Sequence, residues 1–228
     1  MPDSPNKFYG IAKNIAEIVL NHSWEGAKVV DVLLYGSTLT KSTPHDIDLL
    51  VLHADGADIG NYTSSRSQLS DNQAIPYWSS SEILNIMGHR GYEKWNEGAF
   101  ARICSLLVSA GAIQSGDETF HQEQINKILD LHVLNTLLIR EPSDSRELAI
   151  FLEGISSERR RAFPDLNNPR FNASIPQLRE EAMRLSGKDV GFYHRVFTEG
   201  RLYDPSRKDF TTRFEDRYPG KLELFPKV

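Results

Sequence analysis

The residues of this chain whose types and spacing could do chemistry lie between positions 36 and 48. Gly36 and Ser37 follow the apolar run KVVDVLLY, and Asp46 and Asp48 come after a spacer of eight residues. Side chains two apart in a strand face the same way, so the two aspartates are expected to project together at the start of IDLLVL. Adjacent carboxylates repel each other unless a cation lies between them, and oxygen ligands favour Mg²⁺ or Mn²⁺ over Zn²⁺. The pair therefore predicts a divalent metal site.

The Gly-Ser pair predicts a site for phosphate. A strand that stops at Gly36 and enters a short helix presents backbone N–H groups to phosphate oxygens, and the Ser37 hydroxyl can add another donor. Lys41, one turn beyond Ser37, could also reach a phosphate. A phosphate cradle opposite a metal site is what nucleotidyl transfer requires, because charge must be neutralised and the reacting groups placed in line.

The order of these features, an apolar strand, Gly-Ser, a spacer and Asp-x-Asp, resembles the signature of the DNA polymerase β-like nucleotidyltransferase superfamily, particularly its minimal and antibiotic-modifying members. The match covers residues 33 to 52. The resemblance implies a short mixed β-sheet flanked by helices. It also implies that an NTP, such as ATP, and Mg²⁺ are used to place a nucleoside monophosphate on a hydroxyl of a small molecule or protein. Gly36 and Ser37 would then hold the triphosphate, and Asp46 and Asp48 would bind the metals.

Members of this superfamily usually add a third carboxylate from a later strand, which completes the metal site and can accept the proton of the attacking hydroxyl. Asp130 is the candidate, because it is the only acidic residue in a strand-like apolar run after Asp48. His132 shares a face with Asp130, and His45 directly precedes the acidic pair. Both histidines are interpreted as hydrogen-bonding neighbours rather than as catalytic groups.

Hydrophobic periodicity predicts the elements that must position these residues. An amphipathic helix is expected over residues 8 to 20, and buried strands are expected in KVVDVLLY, in IDLLVL and in the run NKILDLHVLNTLLI around Asp130. A helix ending at Gly111 is expected to bury Cys104 as a packed core thiol. We predict an α+β fold, with a nucleotidyltransferase domain over residues 1–142 and a mostly helical C-terminal extension packed on it over residues 143–228.

Other segments carry weaker signals. Residues 55 to 81 are polar without a period, which predicts a long loop or flap, and Tyr77 and Trp78 beside Pro76 are interpreted as packing residues. In the last third, Ser174 followed by Gln177 predicts a capped helix start, and RVFTEGRLYDP predicts a short strand. The cluster at positions 159–161, three consecutive arginines, is interpreted as a solvated helix face.

Composition limits the partners. The chain of 228 residues carries a formal charge of −5, which disfavours nucleic acid as a bulk ligand. It has one cysteine, no apolar run long enough to span a membrane, and no export signal at its start, so we expect a cytoplasmic protein without a membrane partner.

Two alternatives to a transferase stay open. One is a nucleotide-sensing or partner-binding module on the same fold, for example an antitoxin-like protein, which binds without turnover. The other is a sugar-nucleotide glycosyltransferase that uses Asp-x-Asp for its metal, although such an enzyme does not need the upstream Gly-Ser pair.

Overall fold

A computed structural model of the chain describes residues 6–21, 23–24, 27–54, 80–81, 84, 98–139, 172–185 and 190–225. These residues form an α+β structure in which helices flank a mixed β-sheet. The helices are α1 Lys7–Leu20, α2 Ser37–Thr40, α3 Ala99–Ser109, α4 Glu118–Ile128, α5 Ile175–Leu185, α6 Val190–Glu199 and α7 Phe214–Arg217. The strands are β1 Ser23–Trp24, β2 Ala27–Tyr35, β3 Ile47–Ala54, β4 Leu129–Asn135, β5 Arg201–Asp204 and β6 Asp209–Thr212.

The sheet has the strand order β4-β3-β2-β5-β6, with β1 paired to β2 beside this path. Strand β2 runs antiparallel to β1, β3 and β5, whereas β3 and β4 are parallel. The parallel pair requires a long crossover, and the chain between β3 and β4 includes α3 and α4. Residues late in the chain, in β5 and β6, thus extend the sheet that the early strands begin.

Alternation along the central strands divides the apolar side chains between two faces of the sheet. One core lies between the sheet and α1, α3 and α4, and includes Ile15, Leu49 and Leu131. The other lies against α5, α6 and α7, and includes Leu50 and Phe197. Because both faces are covered, β2 and β3 read as nearly continuous apolar runs.

Helix α1 illustrates how local sequence sets the boundaries of an element. The Asn6 side chain caps its start by accepting a hydrogen bond from the Tyr9 N–H at 2.7 Å. Its apolar stripe, including Ile11 and Ile15, is buried, and the helix ends at Asn21. The expected helix over residues 8 to 20 is confirmed.

The other elements that the sequence predicted around the candidate residues are also present. Strands β2, β3 and β4 occupy the three expected apolar runs, and β5 lies in RVFTEGRLYDP. Helix α5 begins after Ser174 as expected, and the Ser174 N–H and hydroxyl both donate to Gln177 Oε1, at 2.9 and 2.8 Å. Helix α3 is followed by Gly111 with φ of +61°, and Cys104 is buried, which raises the pKa of its thiol to about 11.

The region 143–228 supplies more than helices. Its described residues include α5, α6 and α7 and also the two strands β5 and β6, of which β6 had no sequence signal. The loop expected over residues 55 to 81, the aromatic pair at 77 and 78 and the arginines at 159–161 lie outside the described residues, except that residues 80 and 81 are helical. Among the described residues, no helix combines the length and apolar character needed to cross a bilayer.

Candidate active site

A row of three polar side chains crosses the adjacent strands β2, β3 and β4. In the parallel pair, Asp48 of β3 lies opposite Asp130 of β4, and in the antiparallel pair Tyr35 of β2 lies opposite Asp48. Directly paired residues project on the same face of a sheet. Strand pairing thus places the Asp130 side chain beside Asp48, although the two residues are far apart in sequence.

The backbone at Gly36 lies directly against the Asp48 carboxyl group. Its φ of +73° lies in the left-handed region, which favours glycine. A Cβ built at this position would overlap Asp48 Oδ2. The glycine therefore lets β2 turn into α2 while the carboxylate lies directly against the backbone of the turn.

The turn also holds the second aspartate. The Ser37 hydroxyl donates to Asp46 Oδ1 at 3.2 Å, and the buried Thr38 hydroxyl donates to the Asp46 backbone oxygen at 2.6 Å. The backbone N–H of Ser37 donates to the Asp48 carboxyl group. The donors that the sequence assigned to phosphate thus contact the two carboxylates, and Thr38 adds an anchor that sequence reasoning missed.

The three acidic groups interact electrostatically. The pKa of Asp48 is raised to about 6, first by burial and then by the negative charges of Asp46 and Asp130. The Ser37 N–H and His132 act in the opposite direction. Ionising all three carboxylates here is costly without a compensating positive charge.

This chemistry fits a hard divalent cation. The donors at Asp46, Asp48 and Asp130 are carboxylate oxygens, which suit Mg²⁺ or Mn²⁺. Within the described residues, no three side chains of His, Cys, Asp or Glu are gathered closely enough to form a complete metal site as they stand. A cation would therefore have to draw the carboxylates together, and the repulsion between these carboxylates would favour its binding.

Asp130 has a well-defined neighbour in His132. Its Oδ2 lies 3.1 Å from His132 Nε2, and the Asp130 side chain is 51% exposed whereas that of His132 is 12% exposed. The imidazole lies edge-on to Phe192 of α6, with ring centroids 5.5 Å apart. Phe192 in turn lies edge-on to Tyr35 at 5.8 Å. A C-terminal helix thus contacts the row of polar side chains.

Ser80 supports the backbone at Asp130. Its buried hydroxyl donates to the Leu129 carbonyl oxygen at 2.5 Å and accepts from the Leu131 N–H at 2.9 Å. These two backbone groups flank Asp130 in the chain. Its two partners lie 49 and 51 positions further along the chain, so no local pattern predicts these contacts.

Lys41 and His45 lie near the turn but are not brought into the cluster. Lys41 is exposed at the end of α2, where its backbone N–H donates to the Ser37 carbonyl oxygen at 2.9 Å. In the part of the chain that the structure describes, no ion pair joins the Lys41 ammonium group to the three carboxylates. His45 is likewise exposed.

Comparisons with known proteins give no further guide. No profile of a known protein family matches the chain, and neither a curated protein nor a solved structure is significantly similar to it.

Proposed function

We propose that this chain is a Mg²⁺-dependent nucleotidyltransferase with a polymerase β-like fold. It would move a nucleoside monophosphate from an NTP to a hydroxyl group of a small molecule or protein. One observation carries the proposal: strand pairing puts Asp130 directly beside Asp48, next to the turn in which Gly36 and Ser37 hold the acidic pair. Both the upstream turn and the third carboxylate belong to the resemblance noted in the sequence.

The proposed reaction assigns a role to each acidic residue. Asp46, Asp48 and Asp130 hold the divalent cations. When bound, Mg²⁺ neutralises charge on the triphosphate and on the leaving pyrophosphate. The acceptor oxygen attacks the α-phosphorus while the bond from that phosphorus to the bridging oxygen breaks, and pyrophosphate leaves with that electron pair. Asp130, whose side chain is half-exposed, accepts the proton of the acceptor hydroxyl.

The triphosphate is assigned to Gly36, Ser37 and Lys41. Ser37 offers its hydroxyl, which would exchange its present hydrogen bond to Asp46 for a phosphate oxygen. Lys41 provides a positive charge at the far end of α2. Their contribution is placement and charge stabilisation, which dominate catalysis of phosphoryl and nucleotidyl transfer.

Label transfer tests the proposal. Purified protein is incubated with each α-labelled NTP, with Mg²⁺ or Mn²⁺, and with panels of hydroxyl-bearing small molecules and of protein fractions. We expect labelled product with release of pyrophosphate, and a loss of at least about 100-fold in rate for Asp48→Asn, because a group that holds the metal is removed. Asp216→Asn, a matched change at an exposed position in α7, is expected to leave the rate unchanged. Transfer that persists in the Asp48 variant would contradict the proposal.

A nucleotide-sensing or antitoxin-like binding module is the second candidate. The observation that favours it is that both Ser37 donors are directed at the carboxylates and the described residues form no complete metal site. Calorimetry with each NTP separates the two functions. A nucleotide that binds tightly and is recovered unchanged after prolonged incubation would support sensing over transfer.

A further inference from the structure

His132 lies beside Asp130, and the proposed reaction gives this histidine no role. It lies two residues after Asp130 on the same face of β4, opposite Leu50 of β3. Its ring contacts both the Asp130 carboxylate and Phe192 of α6, which packs against the apolar core on that face of the sheet. A side chain in this position can connect the packing of the core to the geometry of the carboxylates.

The contact between the two residues has a defined donor. In the ionised form that would bind a cation, the Asp130 carboxylate can only accept hydrogen bonds, so in that form His132 Nε2 carries the hydrogen of the 3.1 Å contact and Asp130 Oδ2 is the acceptor. A carboxyl group with half of its side chain in solvent has a broad range of rotations about its last bond. The donor at His132 Nε2 narrows that range.

The imidazole is the fixed member of the pair. Its side chain is only 12% exposed, and its ring lies edge-on to Phe192 at 5.5 Å. Phe192 is itself held by edge-on contacts to Tyr35 at 5.8 Å and to Tyr193 at 5.3 Å. Such aromatic contacts define the orientation of each ring as well as its position. Phe192 of α6 thus contacts the imidazole, and the imidazole contacts the Asp130 carboxylate.

We propose that His132 is a positioning residue that orients the Asp130 carboxylate toward Asp48 for cation binding, and that Phe192 of α6 fixes the His132 ring. The inference rests on the proposed metal site but not on transferase activity. Partners that orient metal-binding carboxylates in this way typically contribute about 10- to 100-fold to metal affinity.

The first experiment measures Mn²⁺ alone, titrated into the full-length protein and followed by the paramagnetic resonance of free Mn²⁺. Glutamine can place an amide N–H near the position of Nε2, whereas the shorter asparagine cannot. We expect His132→Asn to weaken Mn²⁺ binding by about 10-fold and His132→Gln to stay within about threefold of the wild type. Thermal unfolding of both variants checks that they remain folded.

The second experiment tests the role of the helix. Phe192→Leu keeps an apolar side chain but removes the edge-on ring contact, and we expect it to weaken Mn²⁺ binding by about threefold to tenfold. Phe120→Leu is the matched control, because Phe120 also lies beside a histidine, with ring centroids 6.4 Å apart, but on α4. The control is expected to bind Mn²⁺ as the wild type does.

The outcomes separate this inference from the proposed function. Equal Mn²⁺ affinity in wild type and His132→Asn, equal losses in the Asn and Gln variants, or no Mn²⁺ binding by the wild type would each overturn the positioning role. If the predicted Mn²⁺ pattern is found without any label transfer, the positioning role stands and the transferase proposal fails. Where transfer occurs, we expect His132→Asn to lower kcat while KM for the NTP stays unchanged.

Discussion

At the residue scale, two separate features of the structure require a glycine at position 36. Its φ of +73° disfavours any side chain, and the space where a Cβ would lie is filled by the Asp48 carboxyl group. The positive φ concerns the backbone alone, whereas the occupied Cβ position depends on where the Asp48 carboxyl group lies. Gly220 shares only the positive φ, at +71°, because among the described residues no atom lies within 4 Å of the position that its Cβ would occupy.

We predict that Gly36→Ala destabilises the fold more than Gly220→Ala does. Each alanine incurs a backbone cost of about 1–3 kcal/mol at positive φ, and the cost at Gly36 lies toward the upper end because its ψ is −149°, in a region that glycine alone adopts readily. Only the Gly36 variant must also displace Asp48. We therefore expect an additional loss of about 1–3 kcal/mol at position 36, together with weaker Mn²⁺ binding. Urea denaturation and Mn²⁺ titration of the two variants measure both effects. Equal losses at the two positions would show that Asp48 does not depend on the glycine.

Sequence reasoning identified individual residues wherever their type conflicted with their surroundings. Asp130 was singled out because an acidic residue is costly in an apolar strand, and the structure places it beside Asp48. Thr38 carried no such conflict, because a hydroxyl is ordinary at the edge of a site, and its contact with the Asp46 backbone depends on the geometry of the turn. Spacing along β4 did identify His132 as a neighbour of Asp130 on the same face, and the 3.1 Å contact confirms that prediction.

At the scale of elements, β4 is the strand on which the third carboxylate depends. Within the described residues it is the last strand in the sheet order, paired to β3 along one side. Ser80 bonds to backbone groups of Leu129 and Leu131, immediately before and after Asp130. The hydroxyl thus satisfies two backbone groups and holds the strand where the acidic residue projects.

We predict that Ser80→Ala loosens β4 at this point. Removing the hydroxyl leaves a buried carbonyl and a buried N–H without their partner, which costs about 1–3 kcal/mol of unfolding free energy. Amide hydrogen exchange at Leu131 should accelerate, because its N–H loses its acceptor. Ser105→Ala on the exposed face of α3 is the control and is expected to change neither quantity. Unchanged exchange at Leu131 in the Ser80 variant would contradict this account.

The elements themselves were mostly predictable, because periodicity and capping are local. Helix α1, strands β2, β3 and β4, and the Ser174 cap follow from patterns within a few residues. Strand β6 did not, since DFTT is short and polar and forms by pairing with β5. Its identity as a strand comes from a neighbour rather than from its own sequence.

At the scale of the whole molecule, a buried contact joins the C-terminal region to the central strand. Asp31 of β2 is only 3% exposed, and it accepts a hydrogen bond from the Tyr218 hydroxyl at 2.5 Å, with Arg217 at 3.8 Å. Burial raises the pKa of Asp31, while the Tyr218 hydrogen bond and then the Arg217 charge oppose that shift. The carboxylate is tolerated because the end of the chain returns to it.

This contact predicts a pH-dependent stability. Because the pKa of Asp31 is raised in the folded state, the folded protein binds more protons than the unfolded chain between the two pKa values, and the contribution of Asp31 to stability falls as pH rises through that interval. Tyr218→Phe removes a group that opposes the shift, so its destabilisation should be small at pH 4 and reach about 1–3 kcal/mol at pH 7.

Urea denaturation at both pH values measures this difference. In the Asp31→Asn background, which lacks the ionisable group, we expect Tyr218→Phe to change the free energy of unfolding equally at pH 4 and pH 7. A destabilisation by Tyr218→Phe that is the same at both pH values would contradict the account. Asp31 is the one acidic residue in the apolar run KVVDVLLY, but its partner lies 187 positions away and no local pattern links the two.

The central claim is that Asp46, Asp48 and Asp130 converge on hard cations beside the Gly36–Ser37 turn. Crystals soaked with Mn²⁺ and a non-hydrolysable NTP test it most directly, through anomalous scattering from the metal. We predict an anomalous peak at about 2.0–2.3 Å from carboxylate oxygens of Asp46 and Asp48, with Asp130 turned toward the same peak. Crystals that hold the nucleotide elsewhere, or that show no metal at the three carboxylates, would contradict the claim.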